Sequence, residues 1–199
     1  MKKTIAILLA LVLTLGAVSC GSKPSEGNNN SDTSADTSEA VKDAVSDPLE
    51  VLKKVWETYG EDEKFASAGG DFTDEIVEGP GAYNELDGEV LDNVLGFPAA
   101  SIDKIDSAAS FMHMMNQNTF TSGAYHVKDT ADIDTLASDL RDNIQARQWM
   151  CGFPDSLIVA SVGEVVISAY GKEQFINNFV DKLSAVYPDA KVIITEPIE

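Results

Sequence analysis

The chain has 199 residues, 33 acidic and 14 basic, for a formal charge of −19, and 44% of it is hydrophobic. That composition is globular rather than disordered, and the charge argues against a nucleic-acid partner, which needs a basic surface to release counterions. Two cysteines exclude a disulfide framework and a Cys-rich zinc site.

Met1-Lys2-Lys3 is a basic start, and residues 5–15 are a nearly unbroken apolar run. The run is shorter than the about 20 residues a spanning helix needs, and with the small residues after it reads as a secretory signal over residues 1–19. Ala17-Val18-Ser19-Cys20-Gly21 resembles the lipobox of bacterial lipoproteins, with Ala17 where Leu is usual. The resemblance implies cleavage before Cys20 and transfer of a diacylglycerol to its thiol. The mature chain would then sit on the outer face of the cell membrane, held by acyl chains, two of which anchor stably where one does not. The alternative is an ordinary cleaved signal followed by a free cysteine. Residues 20–46 read as a tether, because Ser, Asn, Asp, Thr, Gly and Ala without apolar period cannot offset the entropy of ordering. As a coil the tether would span roughly 28 Å on average, and roughly 90 Å drawn straight.

Residues 47–199 hold 28 acids and 10 bases, so the acid excess belongs to the domain. Asp47-Pro48-Leu49-Glu50 is a helix start with an N-cap, a first-turn proline and an acid placed as in a capping box. Leu49, Leu52, Val55, Trp56 and Tyr59 follow on one face, and Gly60 is the expected stop. Residues 61–87 read as loop with short extended pieces around a Gly79-Pro80-Gly81 turn. A short helix is expected over 89–95, stopped by Gly96-Phe97-Pro98. Residues 107–115 and 119–127 form a predicted hairpin around Asn116-Gln117-Asn118. Asp129-Thr130 caps a helix with the stripe Ile133, Leu136, Ala137, Leu140 and Ile144. Residues 157–162 and 165–170 are Val- and Ile-rich strands split by Gly163-Glu164. A helix over 172–186 presents Phe175, Ile176, Phe179, Val180 and Leu183, and residues 191–195 make a last strand.

From residue 119 the order is strand, helix, strand, strand, helix, strand: the split βαβ, or ferredoxin-like, order. It predicts an α+β domain with an antiparallel sheet and both helices on one face. Residues 107–115 would add an edge strand. Ala124-Tyr125-His126-Val127-Lys128-Asp129, the helix after it, Gly152-Phe153-Pro154 and the hairpin followed by residues 175–183 resemble a family of clostridial (Firmicutes) lipoproteins. The resemblance covers residues 107–195 and implies a Gram-positive lipoprotein. It transfers no catalytic residue, since that family's domain has no assigned function.

Phe111-Met112-His113-Met114-Met115 is the most suggestive cluster, because thioether and imidazole ligands suit Cu(I), with His126 or Cys151 as further ligands. On a strand, however, Met112 and Met114 point away from His113 and Met115. His113 and His126 are the only histidines, and a simple hairpin register pairs 113 with 121 and 108 with 126, holding them apart. Cys151, past a helix end, reads as a buried structural thiol. Asp71, Asp74, Glu75, Glu78, Glu85, Asp87 and Glu89 offer oxygens for a weak cation site but lack EF-hand spacing. No nucleophile elbow, zinc helix, phosphate loop or cofactor motif is present. Phe65, Phe72, Tyr83 and Phe97 in residues 61–106 are expected to pin that segment to the core. The alternative is a binding surface made of Tyr83, Phe72 and Phe97, with Tyr83 turned outward. These readings favour a non-enzymatic binding or assembly module of the envelope with a basic protein partner. The alternatives are an envelope enzyme with a pocket built by residues 61–106, or a weak binder of cations or soft metals.

Overall fold

The structure is a computed structural model and describes residues 45–71 and 75–199. The signal, Cys20 and the tether up to residue 44 lie outside the described residues, as do Phe72 and Asp74.

Helix α1 (Pro48–Glu57) starts as its sequence dictates. Asp47 Oδ1 accepts from the backbone N–H of Leu49 at 2.9 Å and of Glu50 at 3.1 Å, and Pro48 fills the first turn. The helix ends at Thr58 rather than Gly60, and Val51 joins Leu52 and Val55 on its buried face. Short strands β1 (Ser67–Gly69), β2 (Ile76–Val77) and β3 (Gly81–Ala82) follow. Gly69 and Gly81 touch backbone to backbone: a Cβ on Gly69 would lie 2.3 Å from Gly81 N, so neither place admits a side chain. Helix α2 (Gly88–Leu95) is capped by Asp87 and closed by Gly96 in the left-handed region at φ 71°.

After a 3-10 turn (Ala99–Lys104), the regular part runs β4 (Ile105–His113), β5 (Phe120–Val127), α3 (Ile133–Gln145), β6 (Ser156–Val162), β7 (Val165–Gly171), α4 (Glu173–Val186) and β8 (Lys191–Pro197). The protein is α+β, with one eight-stranded sheet in the order β2-β1-β4-β5-β7-β6-β8, β3 also pairing with β4, and every pairing antiparallel.

That order departs from the ferredoxin-like expectation, and the hairpin is the reason. A ferredoxin-like sheet puts its last strand beside its first, here β8 beside β5. The short β4–β5 connection has already filled that edge, since neighbouring strands in sequence usually pair. β8 therefore pairs with β6 instead. β4 is not an edge strand either, because β1 and β3 pair along its far side. The helix layers change with it. Strands β5 and β6 run parallel with β7 between them, and β7 and β8 run parallel with β6 between them. Both crossovers step the same way across the sheet from oppositely directed strands, so right-handed connections put α3 and α4 on opposite faces.

The packing agrees. Leu136, Ala137, Leu140 and Ile144 of α3 pack with Tyr125, Leu157, Val159, Val166 and Tyr170 on one face. Ile176, Phe179 and Leu183 of α4 pack with Val51, Leu52 and Val55 of α1 against Phe120, Ile158, Ala160 and Ile167 on the other. Alternating residues of β6 and β7 are thus buried on both sides, which is why these strands read as unbroken apolar runs.

Candidate functional site

Strand β8 is paired only with β6 and forms one edge of the sheet. Along it Val192 is 43% and Ile193 37% exposed. A register shift where Val159 and Ala160 of β6 meet Ile194 and Val192 marks a bulge, a common device at sheet edges. Between the end of β8 and helix α4 runs an open groove of about 670 Å³. Ile158, Ile176 and Val180 give it an apolar floor, and the acids Asp155, Glu173 and Asp181 stand along it, whereas Glu196 pairs with Leu157 and so turns its side chain to the α3 face, where it lines a second concavity with Arg141. Asp155 is fixed by its surroundings. Its N–H donates to Gly171 O at 2.8 Å and its carbonyl accepts from Ile198 N at 3.1 Å. Its carboxylate accepts from Lys172 Nζ at 2.8 Å and from Glu173 N at 3.0 Å, closing the first turn of α4. The Lys172 bond, and next the Glu173 N–H, hold that carboxyl below the usual range.

The residues singled out in the sequence are placed differently. Tyr83 and Phe97 are buried, 8% and 0% exposed, so they pin residues 61–106 to the core and Tyr83 does not face outward. Phe97 packs its ring 4.8 Å from that of Tyr125. The Tyr83 hydroxyl lies near Ser110 but makes no hydrogen bond of good geometry, and burial pushes its pKa up to about 12. None of the three surface concavities described here is lined by residues 61–106.

The hairpin register is one residue off the simple expectation: Ala108 faces Tyr125, Ser107 faces His126 and Met112 faces Thr121. The two histidines still sit at opposite ends of the sheet. Met112 is buried on the α3 face, where its sulfur accepts from Gln117 Nε2 at 3.2 Å. His113 lies on the other face, stacked on Phe65 at 5.5 Å between ring centroids. Its Nδ1 accepts from the backbone N–H of Met115 at 3.2 Å and of Asn116 at 3.4 Å. Met112 and His113 therefore cannot meet at one ion with Met114. Cys151 is exposed rather than buried.

Arg147, which the sequence did not single out, caps α2 from a distance, its guanidinium donating to Asp92 O at 2.5 Å and to Asn93 O at 2.9 Å. It also lies over the rings of Trp149 and Tyr170. The groove was missed as well, because it lies between α4 and β8 and its carboxylates come from α4 and the loop before β6, whose adjacency only the fold creates. Comparison with protein-family models, with curated proteins and with solved structures gives no match for this chain.

Proposed function

We propose that this chain is a lipid-anchored, extracytoplasmic, non-enzymatic binding module that takes a basic, extended segment of a partner protein along the α4–β8 groove. The observation that carries the reading is the groove itself, three acidic residues over an apolar floor beside an open strand edge. An extended segment adding to β8 would satisfy the outward backbone groups, and basic side chains would meet the acidic lining. The net charge of −19 would draw such a partner in from a distance. The lipobox-like Ala17-Val18-Ser19-Cys20-Gly21 supports the anchor.

The position of Val45 fits this reading. Val45 O accepts from Glu164 N at 2.8 Å at the β6–β7 turn, whereas Asp155 and Pro197 of the groove lie at the other end of β6. The chain thus enters the domain at the end of β6 opposite the groove.

Two measurements test the parts separately. Detergent partitioning of wild type and Cys20→Ala tests the anchor; a mutant that still partitions with membranes contradicts it. Binding of a labelled alternating Lys/Val peptide tests the groove. It should weaken steeply with salt, as the screening length falls below about 10 Å, and be lost in Glu173→Lys/Asp181→Lys. Equal binding by the charge-reversed chain contradicts the groove reading.

A further inference from the structure

Strand β8 is not open along its whole length. Ile198 N donates to Asp155 O at 3.1 Å, so Ile198 turns its backbone groups toward the β6 side. Such groups alternate sides along an antiparallel strand. Those of Glu196 therefore face β6 as well, and those of Thr195, Pro197 and Glu199 face outward. Pro197 has no N–H to offer a further strand. Gln145, the last residue of α3, reaches over the same place. Its Nε2 donates to Pro197 O at 2.8 Å, and its Oε1 accepts from Glu199 N at 3.3 Å. One side-chain amide thus takes the outward carbonyl of one residue and the outward N–H of another. Toward the start of β8, the register shift between Ile194 and Val192 interrupts the ladder. Prolines, bulges and covering groups are the devices that keep sheet edges from pairing at random. What they leave open here is Thr195, whose outward N–H and carbonyl meet no strand because β8 pairs only with β6.

We infer that Gln145 sets the register of the docking edge: a partner's segment pairs through Thr195, and the Gln145 amide blocks it from pairing on past Pro197. This rests on the groove reading and adds the place, length and pattern of the segment. Every pairing in the sheet is antiparallel. An antiparallel segment puts one residue directly opposite Thr195, exchanging both main-chain bonds with it. The side chain of that residue stands on the same face as Thr195. Thr195 pairs with Ile158 of the α4-side core and lines the groove that Glu173 and Asp181 also line. The residue opposite it is therefore basic. Its two neighbours turn to the α3 side, beside Ile194, which packs against that core, and are apolar. The segment is short, about five residues between the bulge and Pro197, with basic and apolar side chains alternating.

The probe is the acetylated, amidated peptide Lys-Val-Lys-Val-Lys, titrated at low salt into the full-length chain in detergent. N-methylation of its lysines should abolish binding, because theirs are the N–H groups that meet the edge, while N-methylation of its valines should leave binding unchanged. Both modified peptides keep the full charge, so attraction to the acids alone would not tell them apart. Gln145→Ala and Gln145→Ser, whose side chains cannot reach Pro197 O, should each bind the unmodified peptide roughly three- to tenfold tighter, as one newly available main-chain bond gives. Gln145→Ala/Pro197→Ala, which also restores an outward N–H, should bind tighter again. Thermal melting checks that each variant is folded. Binding that survives lysine methylation, or unchanged affinity in both Gln145 variants, would overturn the register and leave the groove reading standing. No binding of the unmodified peptide by any of the chains would remove both.

Discussion

The Nδ1 of His126 lies 2.5 Å from Oδ1 of Asp106, and its Nε2 lies 3.4 Å from Oε2 of Glu164. Asp106 sits where the β4–β5 register shifts, between Ile105 and Ser107, and Glu164 is in the β6–β7 turn. One imidazole thus ties a bulge to a turn on the end of the sheet where Val45 joins it.

Burial works against the charged ring, but hydrogen bonds to Asp106 and then Glu164, together with their charges, outweigh it and raise the pKa above 6.5. A raised folded pKa means stability that is complete below the unfolded value and fades as pH rises through the folded one. His126→Gln should therefore lower the melting temperature clearly near about pH 5.5 and much less near about pH 9. A deficit of equal size at both would show that the ring acts through packing rather than charge.

Phe97→Ala should cost about 3–5 kcal/mol in denaturant unfolding, because a fully buried ring is lost against Tyr125 and α2. Tyr83→Phe should cost little, since its hydroxyl makes no good hydrogen bond. A Phe97→Ala chain as stable as wild type would contradict the pinning role of residues 61–106.

Gly81→Ala should destabilise more than an ordinary surface change, by about 3 kcal/mol or more. Its Cβ would lie 2.4 Å from the backbone of Gly69, and neither chain can move without breaking the β1–β4 or β3–β4 pairing. Thermal melting measures it; a neutral result would mean that β1 and β3 separate freely.

Arg147→Lys should cost about 1.5–3 kcal/mol, the range for hydrogen bonds to a charged group. An ammonium cannot reproduce the two-pronged bond to Asp92 O and Asn93 O while lying over Trp149 and Tyr170. Equal unfolding free energies would show that the guanidinium is replaceable there.

Much of the fold is legible in local chemistry. Asp47-Pro48, Asp87, Gly96 and Gly163 mark element ends because caps and left-handed positions are set within a few residues. The sheet order is not local. Two expectations competed for one edge of β5, the hairpin partner β4 and the final strand β8, and only one could have it. The sequence carried a clue in the apolar runs Leu157-Ile158-Val159-Ala160 and Val165-Val166-Ile167, which demand burial on both faces and so exclude helices on one face alone. Residues 111–115 show soft side chains, but the strand's alternation scatters them, and the bonds of Asn116 and Asn118 to the carbonyls of Cys151 and Met150 join two loops that no spacing rule relates. Arg147 left no signal, since it caps a helix some fifty residues earlier in the chain.

The groove reading stands or falls on strand β8. Hydrogen exchange of its backbone amides, followed with and without the alternating Lys/Val peptide at low salt, reads the proposed strand addition directly. The account predicts that the amides among residues 192–196 that face away from β6 become protected when the peptide binds, and that this protection disappears in Glu173→Lys/Asp181→Lys. Peptide binding that leaves residues 192–196 exchanging as in the free chain would contradict it.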